Sequence, residues 1–261
     1  MIEKTKNMLR STAMAFSMFS RVPMPRVEWK PENMRYALAS FPLVGVLLGL
    51  ILYGWAWLCA LLSFGTVLSA AGIALLPVLF TGGIHLDGFC DTVDALSSHA
   101  APEKKREILK DPHIGAFAAI GVGAYLVAYV ALATELYLER PSAMLLFFIP
   151  ALSRTVAGYA GAAAKSGGDG LLQAMRGAAP EKSAANALAV WFVLLAVAML
   201  AISPLAGLFV LLCAASCGYL VFRMSNRQFG GMSGDIAGFL LQTSELVMLL
   251  ALVLAQKGAG I

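Results

Sequence analysis

Between Gly82 and Leu96 the chain reads GGIHLDGFCDTVDAL, with carboxylates at Asp87, Asp91 and Asp94. On a helix running from Asp87, spacings of i, i+4 and i+7 place all three on one face. Carboxylates stacked this way repel one another, and a divalent cation relieves the repulsion. Hard oxygen ligands with no cysteine or histidine cluster suit Mg²⁺ or Mn²⁺ rather than zinc. Gly82, Gly83 and Gly88 would let a bulky substrate approach the backbone closely. The plainer alternative is a solvated helix face with Lys104, Lys105 and Arg106 as distant partners. Against it stands the scarcity of acids: the chain has fifteen, and three gather at the edge of an apolar stretch, where an acid is a functional candidate by default.

Further polar clusters follow. Lys110-Asp111-Pro112-His113 precedes another apolar run, and Asp111 is either a helix N-cap, a further metal ligand or a general base. His85 and His113 are weaker candidates that can serve as interfacial hydrogen-bonding groups. Arg154 lies inside AMLLFFIPALSRTVAG, where a guanidinium demands an anion; a substrate phosphate is the expected one. Lys165 and Arg176 flank a glycine-rich stretch suited to phosphate binding, and a purely topogenic role for both stays open. Gly230-Gly231-Met232-Ser233-Gly234-Asp235 brings Asp235 to the level of the first acidic cluster. Glu245 falls about 15 Å deeper along a helix, too far for shared chemistry and suited to a neutral state or a buried polar partner.

The elements that must position these residues are set by composition. Hydrophobic residues make up 59% and charged residues 13%, and the mean hydropathy is +0.78; soluble domains carry about 25% charge. Seven stretches are long and apolar enough to span a bilayer, at 38–62, 66–84, 114–133, 142–160, 186–202, 204–222 and 236–255. They are apolar on every side, unlike the alternating strands of a barrel, and helices satisfy their own backbone in lipid. The expected fold is an all-α, polytopic membrane protein forming a single domain, 1–261. Residues 1–37 form its cytoplasmic amphipathic segment, whose first twenty residues carry a helix striped by Met8, Leu9, Ala13, Phe16 and Phe19. Lys and Arg number 17 in or beside the segments 1–37, 85–113, 161–185 and 223–235, against Arg140 and Lys257 on the other side. The positive-inside rule then makes the N-terminus and the long loops cytoplasmic. The net charge of +4 reflects this topology and calls for no nucleic-acid partner. Cys59, Cys90, Cys213 and Cys217 have no metal or redox spacing and read as packing residues.

In this order, the segments FSRVPMP at 19–25, GGIHLDGFCDTVDAL at 82–96, KDPHIGAFA at 110–118, Arg154 and GGMSGD at 230–235 resemble the cobalamin synthase family, adenosylcobinamide-GDP ribazoletransferase. The likeness covers most of the chain, to Glu245. The family often has Ser where Pro112 or His113 stands and usually Thr where Ser233 stands, which weakens a role for His113; the Asp positions match. The resemblance implies transfer of the corrinoid phosphate of adenosylcobinamide-GDP to α-ribazole or its 5′-phosphate, with release of GMP, in a bacterial or archaeal cytoplasmic membrane. The reading of the residues fits that activity, with Mg²⁺, or Mn²⁺, expected on Asp87, Asp91, Asp94 and Asp235, phosphate contacts from Arg21, Arg154, Lys165 and Arg176, and Asp111 as base. Membrane lipid is the surrounding partner, and the oligomeric state is left open, a homo-oligomer included. Two other readings remain: a CDP-alcohol phosphotransferase-like lipid synthase, whose D-G-x-x-A-R start is not met because Asp91 follows Cys90, and a cation-coupled transporter, which would spread ionisable residues near the midplane.

Overall fold

The computed structural model describes residues 2–165, 167, 170–179 and 182–258, and among these there is no β-strand. The helices are α1 (Ile2–Phe19), α2 (Pro31–Met34), α3 (Phe41–Leu61), α4 (Thr66–Thr81), α5 (Ile84–Ser97), α6 (Pro102–Ile108), α7 (Ala116–Thr134), α8 (Ile149–Ala163), α9 (Leu171–Ala178), α10 (Ser183–Ile202), α11 (Pro204–Gln228) and α12 (Gly234–Gly258). A 3₁₀ segment, Pro141–Phe147, leads into α8.

Five helices (α3, α7, α10, α11 and α12) are each long and apolar enough to cross a membrane. Two bent pairs, α4 with α5 and the 3₁₀ segment with α8, would bring the number up to seven if each counted as one span. The chain is thus an all-α polytopic membrane protein, with corrections at element ends. The expected span 66–84 stops at Thr81 because Gly82 and Gly83 take φ of 70° and 83°, a left-handed conformation that terminates a helix. The chain then turns by 96° into α5, which lies across the end of the bundle and does not continue the span. The expected span 142–160 is bent by 45° where Pro150 enters the first turn of α8.

Helix packing in lipid relies on close backbone approach. Gly45 and Gly49, one turn apart on α3, lie against the backbone of Pro150–Ala151 and Phe147 with no room for a Cβ. At the centre stands α12, packed on α5, α7, α8 and α11; 67% of its apolar stretch is buried, against 17% for α10. One core cluster surrounds Tyr125, Leu145, Met199 and Met248. A second joins Phe19, Phe41, Leu188, Phe229, Ile236 and Leu240 beneath the end where α7 and α12 begin. α1 buries Ser11, Met14, Ala15 and Phe19, whereas Met8 and Leu9 of the expected stripe face outward.

Candidate active site

The placement of α5 follows from three glycines. A Cβ on Gly88 would stand 2.8 Å from the Asp235 Cα, and one on Gly238 would stand 2.9 Å from the His85 carbonyl oxygen. Only hydrogen side chains let α5 cross the head of α12 this closely, so Asp87 and Asp235 come to line one cavity. Further along, α5 crosses the head of α7. There the Asp94 carboxylate accepts the backbone N–H of Gly115 at 2.6 Å and of Ala118 at 2.9 Å, and a Cβ at Gly115 would collide with it. Asp94 thus caps α7 from a neighbouring helix, with both oxygens occupied, at the terminus where N–H groups otherwise lack partners.

The cavity encloses about 300 Å³ and is lined by Phe19 at the end of α1, Leu38 and Phe41, His85 and Asp87 of α5, Leu172 and Met175 of α9, and Met232, Asp235 and Leu241. Backbone pairing holds part of its wall. The Gly167 N–H donates to the Met232 carbonyl at 3.0 Å, and the Met232 N–H donates to the Lys165 carbonyl at 2.9 Å. Beside the cavity, the Asp91 carboxyl is pushed up to about 6 by burial and by the charges of Asp87, Asp235 and Asp94. Among the described residues, none of these four acids forms an ion pair with Lys or Arg.

Asp87 is exposed and Asp91 and Asp94 are half-buried, and the cations named as distant partners of a solvated face are engaged elsewhere. Lys104 pairs with Glu107, Lys105 donates to Gln228 Oε1, and Arg106 reaches the Phe229 carbonyl at 3.0 Å, docking α6 on the end of α11. The donor chemistry suits a hard cation, because uncompensated carboxylates are gathered on α5 and α12. Among the described residues, however, no three acidic, His or Cys side chains converge on one point, and Asp94 is committed to α7.

Two predicted residues lie elsewhere. Arg154 has its anion inside the protein: its Nη1 donates to Glu245 Oε1 at 2.6 Å, and both residues are 1% exposed. Ser153 Oγ donates to the same oxygen at 2.8 Å. The expectation that Arg154 grips a substrate phosphate is therefore corrected to an interhelical ion pair between α8 and α12. Its missed partner was readable as an acid inside an apolar span. Asp111 is exposed and closes its own turn, accepting from the His113 N–H at 3.0 Å with the His113 ring at 2.7 Å. Those bonds hold its carboxyl below the usual range, which weakens it as a base, and it does not line the cavity; this corrects its expected catalytic place.

The remaining cations stay nearer. Arg21 is exposed and packs over Gly82 at the head of α5, with its backbone N–H on the Phe80 carbonyl at 2.8 Å. Lys165 is exposed. Arg176 is half-buried on α9, with Nη1 lacking a hydrogen-bond partner among the described residues. Ser166, Gly168 and Asp169 of the expected glycine-rich phosphate loop lie outside the described residues. The contribution of α9 to the cavity was not anticipated beyond Arg176, although Leu171, Leu172 and Met175 have the i, i+1, i+4 spacing of one buried face.

Comparison with known proteins gives a consistent answer. Residues 11–253 match the family described as cobalamin-5-phosphate synthase. Among curated relatives, the adenosylcobinamide-GDP ribazoletransferase of Lachnoclostridium phytofermentans is 36% identical over 249 residues, covering 95% of each chain. Those of Desulfitobacterium hafniense, 33% identical, and Clostridium botulinum, 31% identical, each cover 93% of this chain and 96% of their own length. No solved structure matches the chain. With a matched region that takes in the helices carrying all four clustered aspartates, the chain belongs to the cobalamin-5-phosphate synthase family.

Proposed function

We propose that this enzyme transfers the corrinoid phosphate of adenosylcobinamide-GDP to a ribose hydroxyl of α-ribazole or its 5′-phosphate. The hydroxyl oxygen forms a bond to the corrinoid-side phosphorus, the bond from that phosphorus to the bridging oxygen breaks, and GMP leaves with the electron pair. The hydroxyl proton passes to a carboxylate of the cavity, for which Asp87 and Asp235 are the candidates in place of Asp111. The observation that carries this reading is the meeting of Asp87 and Asp235 on one cavity wall in a chain of this family.

The acids available to Mg²⁺ or Mn²⁺ are Asp87 and Asp235, which line one cavity, and Asp91; as they stand they do not converge on one point, so a cation would have to draw them together, while Asp94 stays on the head of α7. When bound, the cation would supply neutralisation of the diphosphate and of the departing GMP. Arg21, Lys165 and Arg176 are the cations left for substrate phosphates, because Arg154 is spent on Glu245. The Lys and Arg imbalance supports a cytoplasmic site in the cytoplasmic membrane. Gathering of the acids at one end of the bundle supports group transfer over cation-coupled transport.

The test is an assay of the purified protein in liposomes with Mg²⁺, adenosylcobinamide-GDP and α-ribazole, following GMP. Ribazole-dependent GMP release is expected. Absence of GMP, or turnover of a CDP-alcohol with a lipid acceptor instead, would overturn the assignment.

A further inference from the structure

His85 sits at the second position of α5 and is 5% exposed. Its ring stacks on Phe19 at 5.8 Å between centroids and tilts against Phe41 at 5.6 Å; Phe19 and Phe41 are themselves 4.4 Å apart. His85 lines the cavity, and its Nε2 is buried without a hydrogen-bond partner among the described residues. A buried imidazole left unsatisfied costs free energy that apolar packing alone does not return, so a polar partner from outside the chain is the natural completion.

The rest of the lining defines that partner. Phe19 and Phe41 bound His85, Leu172, Met175 and Leu241 add apolar lining, and Asp87, Asp235, Ser233 and Gln173 supply the polar part. A volume of about 300 Å³ is at the low end for ligand pockets, roughly 300–1,000 Å³. It suits one nucleoside and excludes a substituted macrocycle carrying a nucleotide. With the reacting end of either nucleoside towards the carboxylates, its base falls among Phe19, Phe41 and Leu172, where the polar groups on several edges of guanine would mostly go unpaired. The dimethylbenzimidazole of ribazole has an apolar edge and a single free ring nitrogen, which accepts one hydrogen bond.

We infer that this cavity is the pocket of the nucleoside acceptor, with the benzimidazole against Phe19, Phe41 and Leu172, the His85 imidazole donating to its free ring nitrogen, and the ribose towards Asp87 and Asp235. This rests on the proposed function and adds to it which substrate the cavity takes. A neutral imidazole has one N–H to give, so His85 becomes a specificity-determining residue.

The test compares α-ribazole with the indole riboside that has carbon in place of the free ring nitrogen, in wild type, His85→Phe and Leu172→Trp. Wild type should prefer α-ribazole by about tenfold in kcat/KM, the worth of one good hydrogen bond. In His85→Phe that preference should vanish and the ribazole KM should rise about tenfold, with the adenosylcobinamide-GDP KM unchanged. Leu172→Trp narrows the pocket from α9 and should raise the KM of both ribosides, which supports the assignment without relying on His85. If His85→Phe keeps the preference, or if both variants raise only the adenosylcobinamide-GDP KM, the pocket assignment is wrong while the proposed function stands. If wild type releases no GMP with α-ribazole, both fall.

Discussion

Replacing Glu245 by Leu should unfold the bundle far more readily than replacing Arg154 by Met, although the two residues form one ion pair. In the structure the pair is 1% exposed on both sides, held by a 2.6 Å contact and by Ser153 Oγ at 2.8 Å. Breaking a buried pair by removing one partner typically costs about 3–5 kcal/mol, because the other charge is left uncompensated. The two halves are unequal, however. A carboxylate left alone can take up a proton and keep its bond from Ser153, whereas a guanidinium cannot lose one. Glu245→Leu should therefore lie at about 3–5 kcal/mol and Arg154→Met at about 1–3 kcal/mol, the cost of an imperfectly satisfied buried group. The double variant should be more stable than Glu245→Leu alone, since it buries no unpaired charge. Unfolding titrations in mixed dodecyl maltoside and SDS micelles give the three differences and the coupling between them. The reasoning is refuted if the two changes are additive, or if Arg154→Met keeps full stability and raises the adenosylcobinamide-GDP KM. That last result would return Arg154 to the substrate.

Other expectations concern α5 and its surroundings. Gly88→Ala places a Cβ 2.8 Å from the Asp235 Cα and should cost about 1–3 kcal/mol together with most of the activity, because Asp87 and Asp235 move apart; unchanged turnover would mean the crossing does not set the site. Asp91, raised to about 6, favours the folded state while protonated, so in EDTA the protein should lose stability as pH rises from about 4 through 6. Added Mg²⁺ should reverse that loss at pH 7.5, and Asp91→Asn should flatten the profile; a Mg²⁺-independent profile counts against a cation at Asp91. Asp111→Asn should leave kcat within about twofold, as for an exposed residue outside the site, and a hundredfold loss would restore it as the base.

Much of the fold was legible because its driving force is local. Runs such as WFVLLAVAML declare a span without reference to any neighbour, and all seven apolar stretches became helical. What was lost lay in pairings between distant segments. Arg154 and Glu245 were each recognised as costly in lipid, but nothing in their separate surroundings says that α8 and α12 are neighbours. The periodicity of Asp87, Asp91 and Asp94 placed them correctly on one helix, yet periodicity carries no information about a second helix end. Gly115 and Ala118 therefore claimed Asp94 unannounced. Glycines were read as room for a substrate, and Gly88 proved instead to be room for another helix. The cavity escaped notice because its wall is assembled from α1, α3, α5, α8, α9 and α12, each contributing only a few residues.

The central place of α12 has a consequence for how the protein is made. Ribosomes release the chain from its N-terminus, so the helix that α5, α7, α8 and α11 all pack upon is delivered after every one of them. Until it arrives, α5 has no partner for its glycine face, Arg154 has no counter-ion, and the strand-like pairing of Gly167 with Met232 cannot form. Before that, the earlier helices hold Arg154 without Glu245 and lack the part of the cavity wall that α12 supplies. With α12 come the counter-ion of Arg154, the seat for the glycine face of α5 and the missing wall of the cavity, so one helix carries both the stability and the site.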